Sequence, residues 1–201
     1  MLVKTLYYRL VEGTFAKAML VLDEKGTLYY ASLGEDSNAL RETLVTDFAS
    51  KQRQFQLKPM VTLSNHERAD YTALCFLKLM EEEEDWKNEG EESLQQKGAK
   101  RIPIEFIFGT ELQRKVWQQL LEIPVGEVRY YGNIVEALGL PKSASRAVGN
   151  ACGANKIALV VPCHRVIAQT GKLTGYRWGL ATKKQILKME LGDAYTTLVS
   201  E

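Results

Sequence analysis

The sequence predicts an α+β protein of two domains, and three observations carry that prediction. Strand-like runs separated by turn signals fill the first half, helical apolar spacing dominates the second, and the charge changes sign between them. Residues 1 to 98 carry 12 basic and 17 acidic side chains, a net of −5, whereas residues 99 to 192 carry 14 and 6, a net of +8, and the tail 193 to 201 adds −2. A polyanionic partner therefore belongs to the second domain. The expected architecture is an N-terminal antiparallel sheet with helices over 1–98, then a mainly helical domain over 99–192. That second domain holds a helix-turn-helix and a short buried strand ending at a cysteine.

Leu2 to Leu10 and Thr14 to Leu22 read as strands around the turn signal Glu12-Gly13, and Thr27 to Leu33 reads as a third after Asp23-Glu24-Lys25-Gly26. Leu40, Leu44, Val45 and Phe48 recur at helical spacing between Ala39 and Ser50, and Tyr71 to Met80 offers a second, shorter helix. Residues 81–100, with EEEED and NEGEE, have few apolar side chains and read as a solvated insert. Beyond it, Thr110 and Gln113 make a capping box for a helix that presents Val116, Trp117, Leu120 and Leu121. A second helix from about Tyr131 to Leu138, the break Gly139 to Lys142 and a third helix from Ser143 to about Cys152 follow helix-turn-helix grammar. A last helix spans Ala181 to Leu191.

Composition excludes several classes. With 201 residues, 45% of them hydrophobic, and a net charge of +1, the chain can bury a core and is neither disordered nor uniformly basic. The N-terminus has no secretory pattern and no run of 18 apolar residues occurs, so the expectation is a soluble intracellular protein. Three cysteines (Cys75, Cys152, Cys163) and two histidines at irregular spacing make neither a zinc cluster nor a disulfide framework.

The six apolar residues Ile157 to Pro162 run into Cys163-His164-Arg165 and out through Val166 and Ile167, a pattern read as a buried strand ending in a tight turn. A lone cysteine in such a place is ordinarily inert core. Two cation-forming neighbours and a proline that stiffens the approach make this one a candidate nucleophile. The chemistry requires a thiolate, a base and a third group to orient the base, and the residues alone leave Glu136, Glu190 and Asp193 open for that third role.

Pro162-Cys163-His164-Arg165-Val166, taken with Ser145-Arg146-Ala147-Val148-Gly149, Asn155 and Thr174-Gly175-Tyr176, resembles the methylated-DNA-protein-cysteine methyltransferases, the O6-alkylguanine-DNA alkyltransferase repair proteins. The resemblance is close over residues 104 to about 192 and is nearest to fungal-type members. It implies direct, irreversible, stoichiometric transfer of the alkyl group from O6-methylguanine to Cys163, with O4-methylthymine as a second candidate substrate. The runner-up is a helix-turn-helix module that recognises alkylguanine without repairing it.

What the resemblance implies for single residues is specific. Cys163 is the nucleophile, His164 its base acting through a water, Glu190 the group that orients His164, and Asn155 the holder of the turn. Tyr131 donates to the purine as negative charge develops on the departing guanine. Arg146 takes the place of the flipped nucleotide in a minor-groove approach, with Thr110, Tyr130, Lys142, Ser143, Ala144, Ala147 and Gly149 beside the backbone. Val166, Tyr176, Arg177, Trp178 and Lys183 line the substrate pocket, and the indole of Trp178 stands where some members carry glycine. The expectation is small alkyl groups in preference to benzyl. Cys152 is placed on the packing side of its helix and is not expected to resolve the thioether. No cofactor is expected, whether metal, nucleotide or S-adenosylmethionine. Nor are a membrane or an obligate protein partner, and the expected state is a monomer, nuclear in a fungal cell and otherwise cytoplasmic.

Overall fold

The computed structural model describes residues 3–81 and 102–200. The acidic insert read at 81–100 lies, apart from Glu81, outside the described residues. The chain divides into two compact units, Met1–Ile107 and Phe108–Glu201.

In the first unit, β1 (Lys4–Glu12), β2 (Lys17–Leu22) and β3 (Leu28–Gly34) form an antiparallel meander, with Tyr8 opposite Val21 and Met19 opposite Ser32. The turn between β2 and β3 closes because Asp23 Oδ1 accepts from the backbone N–H of Lys25 and of Thr27, both at 3.0 Å, and because Gly26 takes φ +81°. Helix α1 (Ser37–Phe48) starts where the Asp36 side chain caps Ala39 N at 2.7 Å, and it buries Leu40, Leu44 and Phe48. The chain then returns as β4 (Phe55–Pro59), followed by α2 (Glu67–Lys78).

Strand β4 corrects the expectation of a wholly antiparallel sheet. It pairs parallel with β1, giving the order β3-β2-β1-β4 and a mixed sheet. The reason it escaped the sequence reading is physical. An edge strand of five residues with two polar side chains and a terminal proline carries almost no periodic signal, and an edge is where a proline is tolerated.

In the second unit, α3 (Glu111–Leu120) begins with the capping box of Thr110 and Gln113 and buries Val116, Trp117 and Leu120. Trp117 Nε1 donates to Ala151 O at 2.7 Å, which ties α3 to the helix α5 (Ser145–Gly153). Between them come the short strand β5 (Arg129–Tyr130) and the helix α4 (Tyr131–Ala137), then Gly139 at φ +63° and the 3-10 turn Lys142–Ala144, so the helix-turn-helix is present as read. Strand β6 (Val166–Ile167) pairs parallel with β5, and α6 (Leu180–Leu191) and α7 (Tyr195–Leu198) complete the unit.

The strand expected over Ile157 to Pro162 is a second correction. The segment is buried throughout, yet Ala158 to Val160 form a turn and Leu159 sits at φ +63°. A run of buried apolar residues reports burial and not extension, which is the known ambiguity of such runs. The strand of this region comes after the cysteine, at β6. A leucine in the left-handed region is strained, and such strain persists only where the surroundings over-determine it.

Candidate active site

Those surroundings are supplied by Asn155, which is fully buried directly after α5. Its Oδ1 accepts from Ile157 N at 2.8 Å, and its Nδ2 lies 3.2 Å from Ile157 O, 3.0 Å from Val161 O and 3.3 Å from Cys163 Sγ. One amide thus closes the strained loop at both ends and donates toward the sulfur. Cys163 opens the 3-10 turn Cys163–Arg165 and is 4% exposed.

The same turn sends His164 and Arg165 to the carboxylate of Glu190, near the end of α6. Glu190 Oε1 is 3.0 Å from His164 Nε2, and Arg165 grips both carboxylate oxygens at 2.8 Å while its Nη1 reaches Ile123 O at 2.7 Å. Of the three carboxylates left open by sequence, the structure therefore places Glu190 on the imidazole, while Glu136 and Asp193 are exposed. With Nε2–H donating to the carboxylate, the lone pair of the neutral ring lies on Nδ1. That nitrogen is buried and has no hydrogen-bond partner. Arg165 was noted in the sequence only as a cation beside the thiol; its contacts make it the anchor of Glu190. Charge counting could not assign that role.

On the other side of the cysteine stands Lys183, 0% exposed, whose Nζ donates to Val166 O at 2.7 Å and to Thr174 O at 3.2 Å. In the first turn of α6, where a lysine is ordinarily a surface charge, it is a buried cation held by two carbonyls. Tyr131, the first residue of α4, has its hydroxyl 3.1 Å from Thr174 Oγ1. Tyr176 stacks edge-on against His164 at 6.4 Å and against Trp178 at 5.1 Å, and its enclosed hydroxyl has no hydrogen-bond partner. Arg177 and Trp178 are half-buried, and Val166 is buried in β6 with its carbonyl on Lys183.

Electrostatics separate the two sides. Burial would raise Glu190, but the charges and hydrogen bonds of His164 and Arg165 prevail and hold its carboxyl at about 2. Burial lowers His164, which keeps the ring neutral, and burial lowers Lys183 to about 8. Burial likewise pushes the Cys163 thiol up to about 11, against smaller opposing effects of the Asn155 hydrogen bond and the Lys183 charge. Desolvation outweighs the cationic neighbours, and the protein stores a protonated thiol beside a neutral imidazole. Cys152 is buried, as expected for the packing side of α5, and burial raises it to about 12.

Of the residues expected to face a nucleic acid, those between Lys142 and Ala147 form one stretch of chain. Lys142, Ser143, Arg146 and Ala147 are exposed around the turn and the start of α5, and Ala144 is half-buried. Thr110 is exposed but spends its hydroxyl on the cap of α3, and Tyr130 is half-buried, its N–H donating to Asn133 Oδ1 at 2.8 Å. Gly149 is half-buried beside Tyr131, whose ring would lie 3.7 Å, an ordinary van der Waals contact, from a Cβ at that position. Among the described residues, no group of three or more His, Cys, Asp or Glu is placed to hold a metal ion, and no helix is long and apolar enough to cross a membrane.

The chain is similar to known proteins of one family. A family model described as the DNA-binding domain of 6-O-methylguanine DNA methyltransferase matches residues 111–192. A methylated-DNA-protein-cysteine methyltransferase of Debaryomyces hansenii is 44% identical over 185 residues, 92% of this chain and 91% of the relative. One of Scheffersomyces stipitis is 38% identical over 98% of this chain and 99% of its own. Among solved structures, that of Mycobacterium tuberculosis OGT in complex with DNA is similar at a TM-score of 0.64 and 28% identity, covering 96% of this chain and 98% of that one.

Proposed function

The chain belongs to the methylated-DNA-protein-cysteine methyltransferases, and from that premise we infer how its own residues carry out the repair. It reverses O6-alkylguanine in double-stranded DNA directly, by single-turnover transfer of the alkyl group to Cys163. The observation that carries the reading of residues is the buried juxtaposition of Asn155, Cys163, His164 and Glu190.

In this reading the Cys163 proton passes to His164 Nδ1 through a water, and the imidazolium so formed is stabilised by Glu190, already ionised and gripped by Arg165. The sulfur attacks the alkyl carbon, the carbon–O6 bond breaks, and its electron pair remains on the guanine, which Tyr131 relieves by donating a hydrogen bond. A resting thiol of high pKa suits a one-use reagent: it is protected from stray electrophiles, yet the thiolate, once formed away from bulk solvent, is a strong nucleophile. A thioether is a poor leaving group, which is why the cycle does not close.

The target base is not accessible to a buried sulfur while it stays stacked, so it must be flipped, at a cost of a few kcal/mol. We assign Arg146, exposed on α5, to the vacated place in the stack, with the small residues Ala144 and Ala147 permitting close approach from the minor groove. Sequence preference should then be low. O4-methylthymine is retained as a second candidate substrate, and in a fungal cell the work takes place in the nucleus, where the DNA is.

The test mixes purified protein with equimolar duplex containing one O6-methylguanine and applies intact and peptide mass spectrometry, with Cys163→Ala as control. One methyl on Cys163 and a restored guanine are expected. Lesion binding by an unmodified protein would overturn the assignment in favour of recognition without repair.

A further inference from the structure

Thr174 has no part in the reading above, yet it makes two contacts inside the site. Its hydroxyl is 3.1 Å from Tyr131 Oη, and its carbonyl accepts from Lys183 Nζ at 3.2 Å. The same ammonium bonds Val166 O at 2.7 Å, one residue beyond the turn that bears Cys163. Through this one buried cation the Thr174 backbone is tethered to the cysteine's own segment. The hydroxyl therefore meets Tyr131 from a fixed position.

We propose that Thr174 is a positioning residue that orients the Tyr131 hydroxyl and makes it a better donor to the departing guanine. The inference rests on the reading of Tyr131 as that donor. Either hydroxyl of the pair can donate to the other. Only when Thr174 donates does the Tyr131 hydrogen remain available for the purine. A bond into the phenol oxygen also stabilises the negative charge that shifts onto it as the guanine accepts the Tyr131 hydrogen bond. The direction agrees: burial raises Tyr131, as do Cys152 and Cys163, and Thr174 works against them. In the free chain Thr174 is exposed and Tyr131 half-buried, so water weakens the bond; a base entering the pocket strips that water and strengthens it.

The test measures the methyl-transfer rate constant at saturating protein, and separately the Kd for the lesion duplex, for Thr174→Val, Thr174→Ser, Tyr131→Phe and the Tyr131→Phe/Thr174→Val pair. The expected result is a loss of about fivefold to tenfold in rate for Thr174→Val, the scale of one hydrogen bond, with Kd unchanged. Thr174→Ser, which keeps the hydroxyl, should recover most of the rate, and the double variant should be no slower than Tyr131→Phe alone. A slow Tyr131→Phe beside a normal Thr174→Val would overturn the proposal and leave Tyr131 its role. A slow Thr174→Ser beside a normal Thr174→Val would overturn it in favour of packing by the threonine methyl, which valine keeps. A normal Tyr131→Phe would instead overturn the underlying reading of Tyr131.

Discussion

Both units bury a carboxylate next to a tyrosine and a cation, and they use it to opposite ends. In the first, Tyr29 donates toward Asp23 at 3.0 Å and lies 2.9 Å from Glu105, with Lys4 on both Tyr29 and Asp23. This cluster is closed. Asp23 serves the turn through two backbone N–H groups; burial would raise it, but those bonds and Lys4 bring it below the ordinary carboxylate range. In the second, Glu190 is equally well satisfied, but the groups it supports are not. His164 Nδ1 and Tyr176 Oη are buried without a hydrogen-bond partner, Cys163 is held as a thiol, and Lys183 is a desolvated cation. A satisfied polar cluster stabilises a fold; titratable groups buried together beside a thiol are the arrangement of a reactive site.

The sharpest way to break this contrast is to neutralise one carboxylate in each unit. Glu190→Gln should cost about 3–5 kcal/mol in urea unfolding, because Arg165 loses its counter-charge in a buried place, and should slow methyl transfer by about 100-fold or more. Asp23→Asn should cost about 1–3 kcal/mol and leave the transfer rate constant unaltered. Equal effects on rate would erase the distinction. The acid limb follows the same logic. Glu190, depressed from 4.5 to about 2, contributes stability that is complete above about pH 4.5 and is lost as the pH falls toward about 2. The difference corresponds to about 3 kcal/mol.

A smaller effect concerns the stored thiol. With Cys163 raised to about 11, its labelling by iodoacetamide in the free protein should be slow at pH 7 and should climb about tenfold per unit as the pH rises toward 10. Peptide mass spectrometry would follow Cys163 alongside Cys75 of the first unit. Rapid, pH-independent labelling of Cys163 near neutrality would contradict a protonated resting state.

The smallest expected effect tests the pocket wall. Trp178 contacts Tyr176 edge-on at 5.1 Å, so Trp178→Gly should open space and raise the reaction with O6-benzylguanine by about fivefold to tenfold, with little change for methyl. No gain for the benzyl substrate would show that the indole does not limit alkyl size.

Much of this protein was legible before any coordinates. The meander, the helices, the capping box of Thr110 and Gln113 and the helix-turn-helix each rest on interactions among residues close in the chain, and periodicity or turn chemistry reports those directly. The motif around Cys163 likewise identified the nucleophile, because residue types at short spacing survive translation into structure. Other features were decided only in three dimensions. The parallel placement of β4 depends on a partner some fifty residues away, and the coiling of Ile157 to Val161 depends on the Asn155 amide more than on the apolar run itself. The choice of Glu190 over Glu136 and Asp193, the anchoring role of Arg165 and the burial of Lys183 all arise where α6 meets the cysteine turn. Even the protonation of Cys163 was decided there, since its cationic neighbours pointed one way and desolvation, which no short stretch of sequence encodes, prevailed in the other.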